Sequence, residues 1–306
     1  MLGLGRLLPG WLLSEAEVDY LKRGVALGVR DDGRAAMQLR RVEVNTSVLP
    51  HSHGSARVAH KASSPCGEVI AGVKFDVQVV DEMTASSSCL FVTVDCSQVV
   101  PGEKGRRQRD VEGELADALK TTLELGGGFA PDSPPMVIAP NALCWSVHLH
   151  VTVVQFGGNL FDTLMLASYA ALQNAKVPAI SAAETTSPET AKTEGASDRY
   201  FQVDADAHAA VPFDCSMCPI SATLSRIGGA LVADALPKEE VCASAQICVA
   251  ATLPKDGEDE AATKIQVCGV LKDGTGSIKP EALLAALLAS ENIIADRFAA
   301  LLANNE

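Results

Sequence analysis

The sequence predicts an α+β fold made of two halves with a similar order of elements. Three observations carry it. Residues 144–156 (Cys-Trp-Ser-Val-His-Leu-His-Val-Thr-Val-Val-Gln-Phe) hold too many β-branched and aromatic side chains for a helix and read as a buried strand. A helical pattern follows at once, with Leu160, Leu164, Leu166, Ala167, Ala170, Ala171 and Leu172 forming an apolar surface with small residues for close packing. Strands then recur before a final helix beyond a polar stretch at 181–199, which repeats the strands-then-helix order.

The join between that strand and helix is the stretch the chain is organised around. Gly157-Gly158 breaks the strand, Asn159 is a plausible N-cap, and Asp162 lies near the positive end of the helix dipole. Val177-Pro178 ends the helix near Ala175. A strand, a Gly-Gly turn and a helix N-terminus leave backbone N–H groups pointing outward, where an anion could sit. Whether one does separates an enzyme from a protein that only keeps the fold.

Before this unit, Ser14-Glu15-Ala16-Glu17 has capping-box spacing, and Val18, Leu21, Val25 and Val29 continue at helical intervals to a polar turn at Arg30-Asp31-Asp32-Gly33-Arg34. Strands are expected from Val42 to Val48, over 54–59, over Glu68–Val80 beyond a Pro65/Gly67 loop, and over Cys89–Cys96. A basic, glycine-punctuated loop at 102–110 precedes a helix from Val111 to Leu125, which Gly126-Gly127-Gly128 stops; a short strand at Met136–Ala139 leads into the central unit. Residues 181–199 are poor in bulky apolar groups and read as a flexible linker. After it come strands near 199–204, at Ile220–Ile227, Ala230–Ala235, Ala245–Leu253 and Lys264–Leu271, with an acidic loop at 255–260, and then a helix from Pro280 to about Ala303. The domain boundaries are therefore an N-terminal helical extension at 1–30, a first domain at 31–180, the linker at 181–199 and a second domain at 200–306.

Composition narrows the classes of function. The net charge of −13 argues against gripping nucleic acid over the whole surface, though not against a local basic patch. Nine cysteines without disulfide-framework spacing suggest a reducing compartment. The apolar opening at 1–13 lacks a small-residue cleavage site and is not read as a signal peptide, and no apolar run reaches the ~20 residues of a membrane span.

Few side chains stand out as reactive. Cys215-Ser-Met-Cys218 has metal or redox spacing, but no second pair matches it, so structural cysteines are the better reading. His51 and His53 are expected in solvent, and His148 and His150 packed within their strand. Walker, dinucleotide, Gly-x-Ser-x-Gly and His-Glu-x-x-His signatures are absent. The run Lys104-Gly105-Arg106-Arg107-Gln108-Arg109 is the only dense basic cluster; it suits a solvated loop, a localisation tag, or arginines forking onto RNA phosphates.

Six short motifs occur in an order that resembles RNase PH-like proteins over roughly 30–250: Arg30-Asp-Asp-Gly-Arg34, Gly54-Ser-Ala-Arg-Val58, Ala71-Gly-Val-Lys74, Val94-Asp-Cys-Ser97, Gly157-Gly-Asn-Leu-Phe-Asp162 and the Val232-to-Glu240 stretch. The N-terminal helix, the Gly-Gly-Asn form and the C-terminal helix resemble the eukaryotic exosome branch related to the archaeal exosome's non-catalytic ring subunit. The resemblance implies an RNase PH-type fold, with duplicated β-α-β-α units like ribosomal protein S5 domain 2 and packed sheets and helices. It also implies phosphorolysis in active members, where phosphate attacks the 3′-terminal phosphodiester.

The same resemblance implies a degenerate site here. Leu160 stands where active members carry a phosphate-holding arginine, and Glu240 and Gln246 stand where they carry two aspartates. No catalytic residue, metal ligand or cofactor is expected. The expected role is a non-catalytic ring subunit supporting 3′–5′ processing and degradation of rRNA and mRNA. Its partners would be other RNase PH-like subunits in a hetero-hexameric ring, cap subunits, a separate hydrolytic nuclease and single-stranded RNA. Arg106, Arg107 and Arg109 would be the RNA-binding residues, and the nucleus, nucleolus and cytoplasm the location. The alternative is an active phosphate-dependent 3′–5′ exoribonuclease.

Overall fold

The computed structural model describes residues 13–61, 66–80, 88–98, 106–134, 136–139, 143–183, 200–203, 209–253 and 265–303. The chain opens with α1 (Glu15–Ala26), whose Ser14 and Glu17 form the expected capping box. This helix ends before Val29, because Leu27 and the left-handed Gly28 turn the chain outward and leave Val29 exposed. Strands β1 (Val42–Thr46), β2 (Gly54–His60), β3 (Glu68–Val79) and β4 (Leu90–Asp95) follow.

Helix α2 (Arg106–Glu124) begins five residues earlier than the apolar pattern suggested, so Arg106, Arg107 and Arg109 lie in its first turn and not in a loop before it. Arginine is a good helix former, and a helix extends past its apolar stripe when the flanking residues allow. Next come β5 (Val137–Ala139), β6 (Leu143–Gln155), α3 (Leu160–Gln173), β7 (Lys176–Val177), β8 (Ile180–Ala183), β9 (Tyr200–Val203) and β10 (Val211–Pro212). The chain closes with β11 (Ile220–Ile227), β12 (Ala230–Ala233), α4 (Pro237–Cys242), β13 (Ala245–Thr252), β14 (Gln266–Asp273) and α5 (Pro280–Ala303).

The first sheet runs β1-β2-β3-β6-β4, with β5 against β6. Its neighbours are antiparallel except β4, which lies parallel to β6 and reaches it through the α2 crossover. The second sheet runs β12-β11-β13-β14 and is antiparallel throughout. Helix α3 packs on β2 and β3 with one side and on β11 with the other. That position explains why Leu160 through Leu172 are all buried, beyond the one-sided stripe that period 3.6 requires. Helix α5 covers β11 and β13, and its Phe298 meets Tyr169 of α3 edge-on at 5.5 Å. One continuous core spans both sheets and the helices between them.

The expected linker begins later than read. Residues 181–183 belong to β8, which pairs antiparallel with β9, so the strands on either side of the polar stretch come together; 184–199 lie outside the described residues, as does the acidic loop at 255–260.

Candidate functional site at the strand-to-helix turn

Strand β6 runs into Gly157-Gly158, and neither position has room for a side chain. A Cβ on Gly157 would lie 2.3 Å from the Gly67 nitrogen, and one on Gly158, whose φ is +79°, would lie 2.6 Å from the Ala235 oxygen. The missing side chain at Gly158 lets the segment just before α4 close over the turn, and the one at Gly157 makes room for Cys66-Gly67. Asn159 takes the N-cap position in the left-handed region (φ 50°) but does not cap with its side chain. Its side-chain amide instead donates to Asp162 Oδ2 at 2.9 Å and to Asp234 Oδ1 at 3.4 Å.

The backbone N–H of Asn159, the donor that could face an anion, is already bonded. It donates to Glu240 Oε1 at 2.7 Å. Burial pushes the Glu240 carboxyl up to about 8, against the smaller opposing pull of that hydrogen bond and of Arg40. The group that fills the turn is therefore a mostly neutral carboxyl at pH 7.

Arginines from the first half are committed to the same loop. Arg40 donates to Asp234 through its backbone, Nε and Nη2, and to the carbonyls of Gly157 and Gly158. Arg34 meets Asp234 at 2.9 Å, and Arg30 pairs with Glu239 at 2.7 Å while donating to the Ala233 and Asp234 carbonyls. Burial would raise the Asp234 carboxyl, but the Arg40 hydrogen bonds and charge outweigh it and hold the group well below the usual carboxylate range. Asp162 points the other way, accepting from Ser221 Oγ (2.7 Å) and from the Thr223 N–H and hydroxyl (both 2.8 Å), with Arg297 at 3.0 Å.

The three positions expected to be degenerate differ in what their side chains do. Glu240 reaches the turn. Leu160 is 3 % exposed and packs into the core. Gln246 lies on β13 opposite Ser225, to whose hydroxyl its amide donates at 3.3 Å. Arg109 is exposed near the start of α2. His148 stacks on Phe91 at 4.9 Å, as a packed histidine should, while His150 is exposed. His51 is exposed as expected; His53 is exposed too, but its Nδ1 accepts from the Phe75 N–H at 3.0 Å. Cys215 and Cys218 are buried thiols outside any disulfide, and no group of three or more His, Cys, Asp or Glu side chains among the described residues could hold a metal ion.

Residue reasoning alone missed Arg40, Asp234, Asp162's partners and α4. Asp234 and Arg34 stood in noticed motifs, yet nothing local says that residues 200 apart form an ion pair.

Residues 38–178 match the model of the 3′ exoribonuclease family, domain 1 (RNase PH). Similar curated proteins are the exosome complex component Rrp42 of Thermoplasma acidophilum, 26 % identical over 84 % of this chain and 86 % of its own, and that of Schizosaccharomyces pombe, 26 % identical over 80 % and 79 %. Among solved structures, a chain of an archaeal exosome core superposes with a TM-score of 0.66 at 21 % identity, covering 94 % of this chain and 97 % of that one. With the two-sheet α+β architecture, these matches show that the chain has an RNase PH-type fold and resembles RNase PH-like proteins. The relatives named here are Rrp42 exosome components.

Proposed function

We infer that this chain is a non-catalytic ring subunit of an exosome core, which helps assemble the pore through which single-stranded RNA reaches a separate nuclease. One observation carries the inertness: the Asn159 N–H is bonded to the chain's own Glu240, at 2.7 Å. Phosphate would have to displace a buried carboxyl, and Leu160 offers no cation to reward it. Gln246, a neutral amide bonded to Ser225, neither shuttles a proton nor holds Mg²⁺ well.

One feature favours the rival reading of an active phosphorolytic exoribonuclease: a carboxyl raised to about 8 suits a general acid. Its burial and its bond to Asn159 instead keep it from substrate. The assembled complex, supplied with RNA and inorganic phosphate, is expected to release no nucleoside diphosphate attributable to this chain. Release that disappears in a Glu240→Gln complex would refute the assignment.

Ring membership is supported by relatives that are themselves named exosome components over most of their length. The proposed partners are other RNase PH-like subunits in a hetero-hexameric ring, cap subunits and a hydrolytic nuclease. RNA contact is assigned to Arg106, Arg107 and Arg109, three cations at a helix start where no acidic residue accompanies them in the first turn. The proposed location is the nucleus, including the nucleolus, and the cytoplasm.

A further inference from the structure

Beside the turn, and sharing Arg40 and Asp234 with it, a cleft of about 410 Å³ opens between β1, α3 and α5. Its size falls in the range of small-molecule sites. Leu39, Val42, Val44, Leu166 and Leu301 give it an apolar wall, and Arg40, Arg41, Lys61 and Arg297 bring four basic side chains against the acids Asp234 and Asp296. In a chain of net charge −13 this local balance is unusual. Asp234 is already matched by Arg34 and Arg40. Among the described residues Lys61 pairs with the half-buried Glu43 at 3.3 Å, and the Lys61 N–H donates to the Arg41 carbonyl.

His60 on the same wall supplies a second, independent observation. It is 6 % exposed, and its Nε2 lies 3.1 Å from Thr163 Oγ1. The Thr163 hydroxyl spends its hydrogen on the Asn159 carbonyl at 2.9 Å, so it accepts from His60, whose proton is then on Nε2. That leaves Nδ1 a buried acceptor, and among the described residues it has no donor. An unmatched buried acceptor is costly, and a bound group that donates to it removes the cost.

We propose that this cleft binds a small phosphate monoester that carries a hydroxyl or amino donor and an apolar face. The phosphate sits at the Arg41 and Lys61 end, the donor reaches His60 Nδ1, and the apolar face lies on Val44, Leu166 and Leu301. A free mononucleotide and the terminal nucleotide of an RNA chain share this chemistry. The inference does not rest on the ring assignment, because it uses Arg41, Lys61 and His60, none of which carries that reading.

The test is calorimetric titration of the full chain, alone and in its complex, with uridine monophosphate, inorganic phosphate and a 5′-phosphorylated oligouridine. Uridine monophosphate is expected to bind saturably and at least tenfold more tightly than inorganic phosphate. Ala300→Trp, which fills the cleft from an exposed position, is expected to weaken it at least tenfold, and Lys61→Glu at least threefold, with thermal melts unchanged. Competition by the oligouridine would identify an RNA end as the ligand, and its failure to compete would identify the free ester. Equal binding of inorganic phosphate and uridine monophosphate, full binding by Ala300→Trp, or no saturable heat up to millimolar ester would each overturn the proposal.

Discussion

Replacing Glu240 with Gln tests whether a neutral carboxyl really fills the turn. The side chain is buried, and burial lifts its carboxyl from 4.5 to about 8. Between those values the folded chain holds a proton that the unfolded chain has released. Stability therefore falls as pH rises through that window, at up to ~1.4 kcal/mol per pH unit, and the slope vanishes once the folded group has also ionised above about 8. Over the whole interval the loss is bounded at ~5 kcal/mol, and the nearby Asp162 and Asp234 share part of any charge change.

Glutamine keeps an oxygen to accept the Asn159 N–H and has nothing to ionise. Urea unfolding at pH 5, 6, 7 and 8 should thus show the parent losing stability towards pH 8 faster than Glu240→Gln. At pH 5 the two should differ by only about 1 kcal/mol, the scale of one altered hydrogen bond. Parallel curves across pH 5–8 would show that Glu240 is ionised in the fold, and the argument that a neutral carboxyl fills the turn would lose its footing.

Two further outcomes follow from the same environment and from the basic helix start. Burial, and then the charge of Arg40, push His60 down to about 4 from 6.5, so stability should fall as pH drops from 6.5 towards 4; His60→Gln should remove that acid slope, read from urea midpoints. Changing Arg106, Arg107 and Arg109 to Ala in the assembled complex should weaken RNA binding alike for all sequences and reduce the salt slope by up to ~2, since single strands lose about 0.7 per neutralised phosphate; an unchanged slope with intact RNA passage would mark the run as solvated surface.

Much of the fold was legible because its signals are local. Strand β6 announces itself through β-branched residues, α1 through its capping box, and α5 through Pro280 followed by a long Ala/Leu run. What escaped was set by distant partners. Helix α4 is only six residues long, too short for a periodicity to declare itself, yet it carries both Glu239 and Glu240. The α2 boundary moved because arginines continue a helix without an apolar stripe. Asn159 looked like an N-cap because its residue type and position fit one; its left-handed backbone aims the amide at Asp162 and Asp234 instead. Leu160, Glu240 and Gln246 were singled out through the family resemblance, but the sequence did not reveal that Glu240 itself occupies the turn.

The ion pairs around the turn cross between the two halves in both directions, and this reciprocity makes a last, sharper demand. Asp234 of the second half takes Arg34 and Arg40 of the first, while Asp162 of the first takes Ser221, Thr223 and Arg297 of the second. Each acid is 2 % exposed or less, so unfolding one half alone would strand charges inside the other. Removing one partner of a buried pair costs about 3–5 kcal/mol, more than partial unfolding of a domain this size can easily offset. The halves should therefore unfold together. Trp145 sits in the first sheet, edge-on to Phe75 at 6.0 Å, and in a Trp11→Phe background its fluorescence reports that half alone. Its urea transition should coincide with the far-ultraviolet circular dichroism transition, which reports both. In Asp162→Ala, the midpoint should drop by the equivalent of about 3–5 kcal/mol, and the two transitions should separate as Arg297 loses its tie. Separate transitions in the parent chain, or a small loss in Asp162→Ala with the transitions still superimposed, would mean that the two sheets are held by the shared apolar core around α3 and that the charges at the turn are spectators.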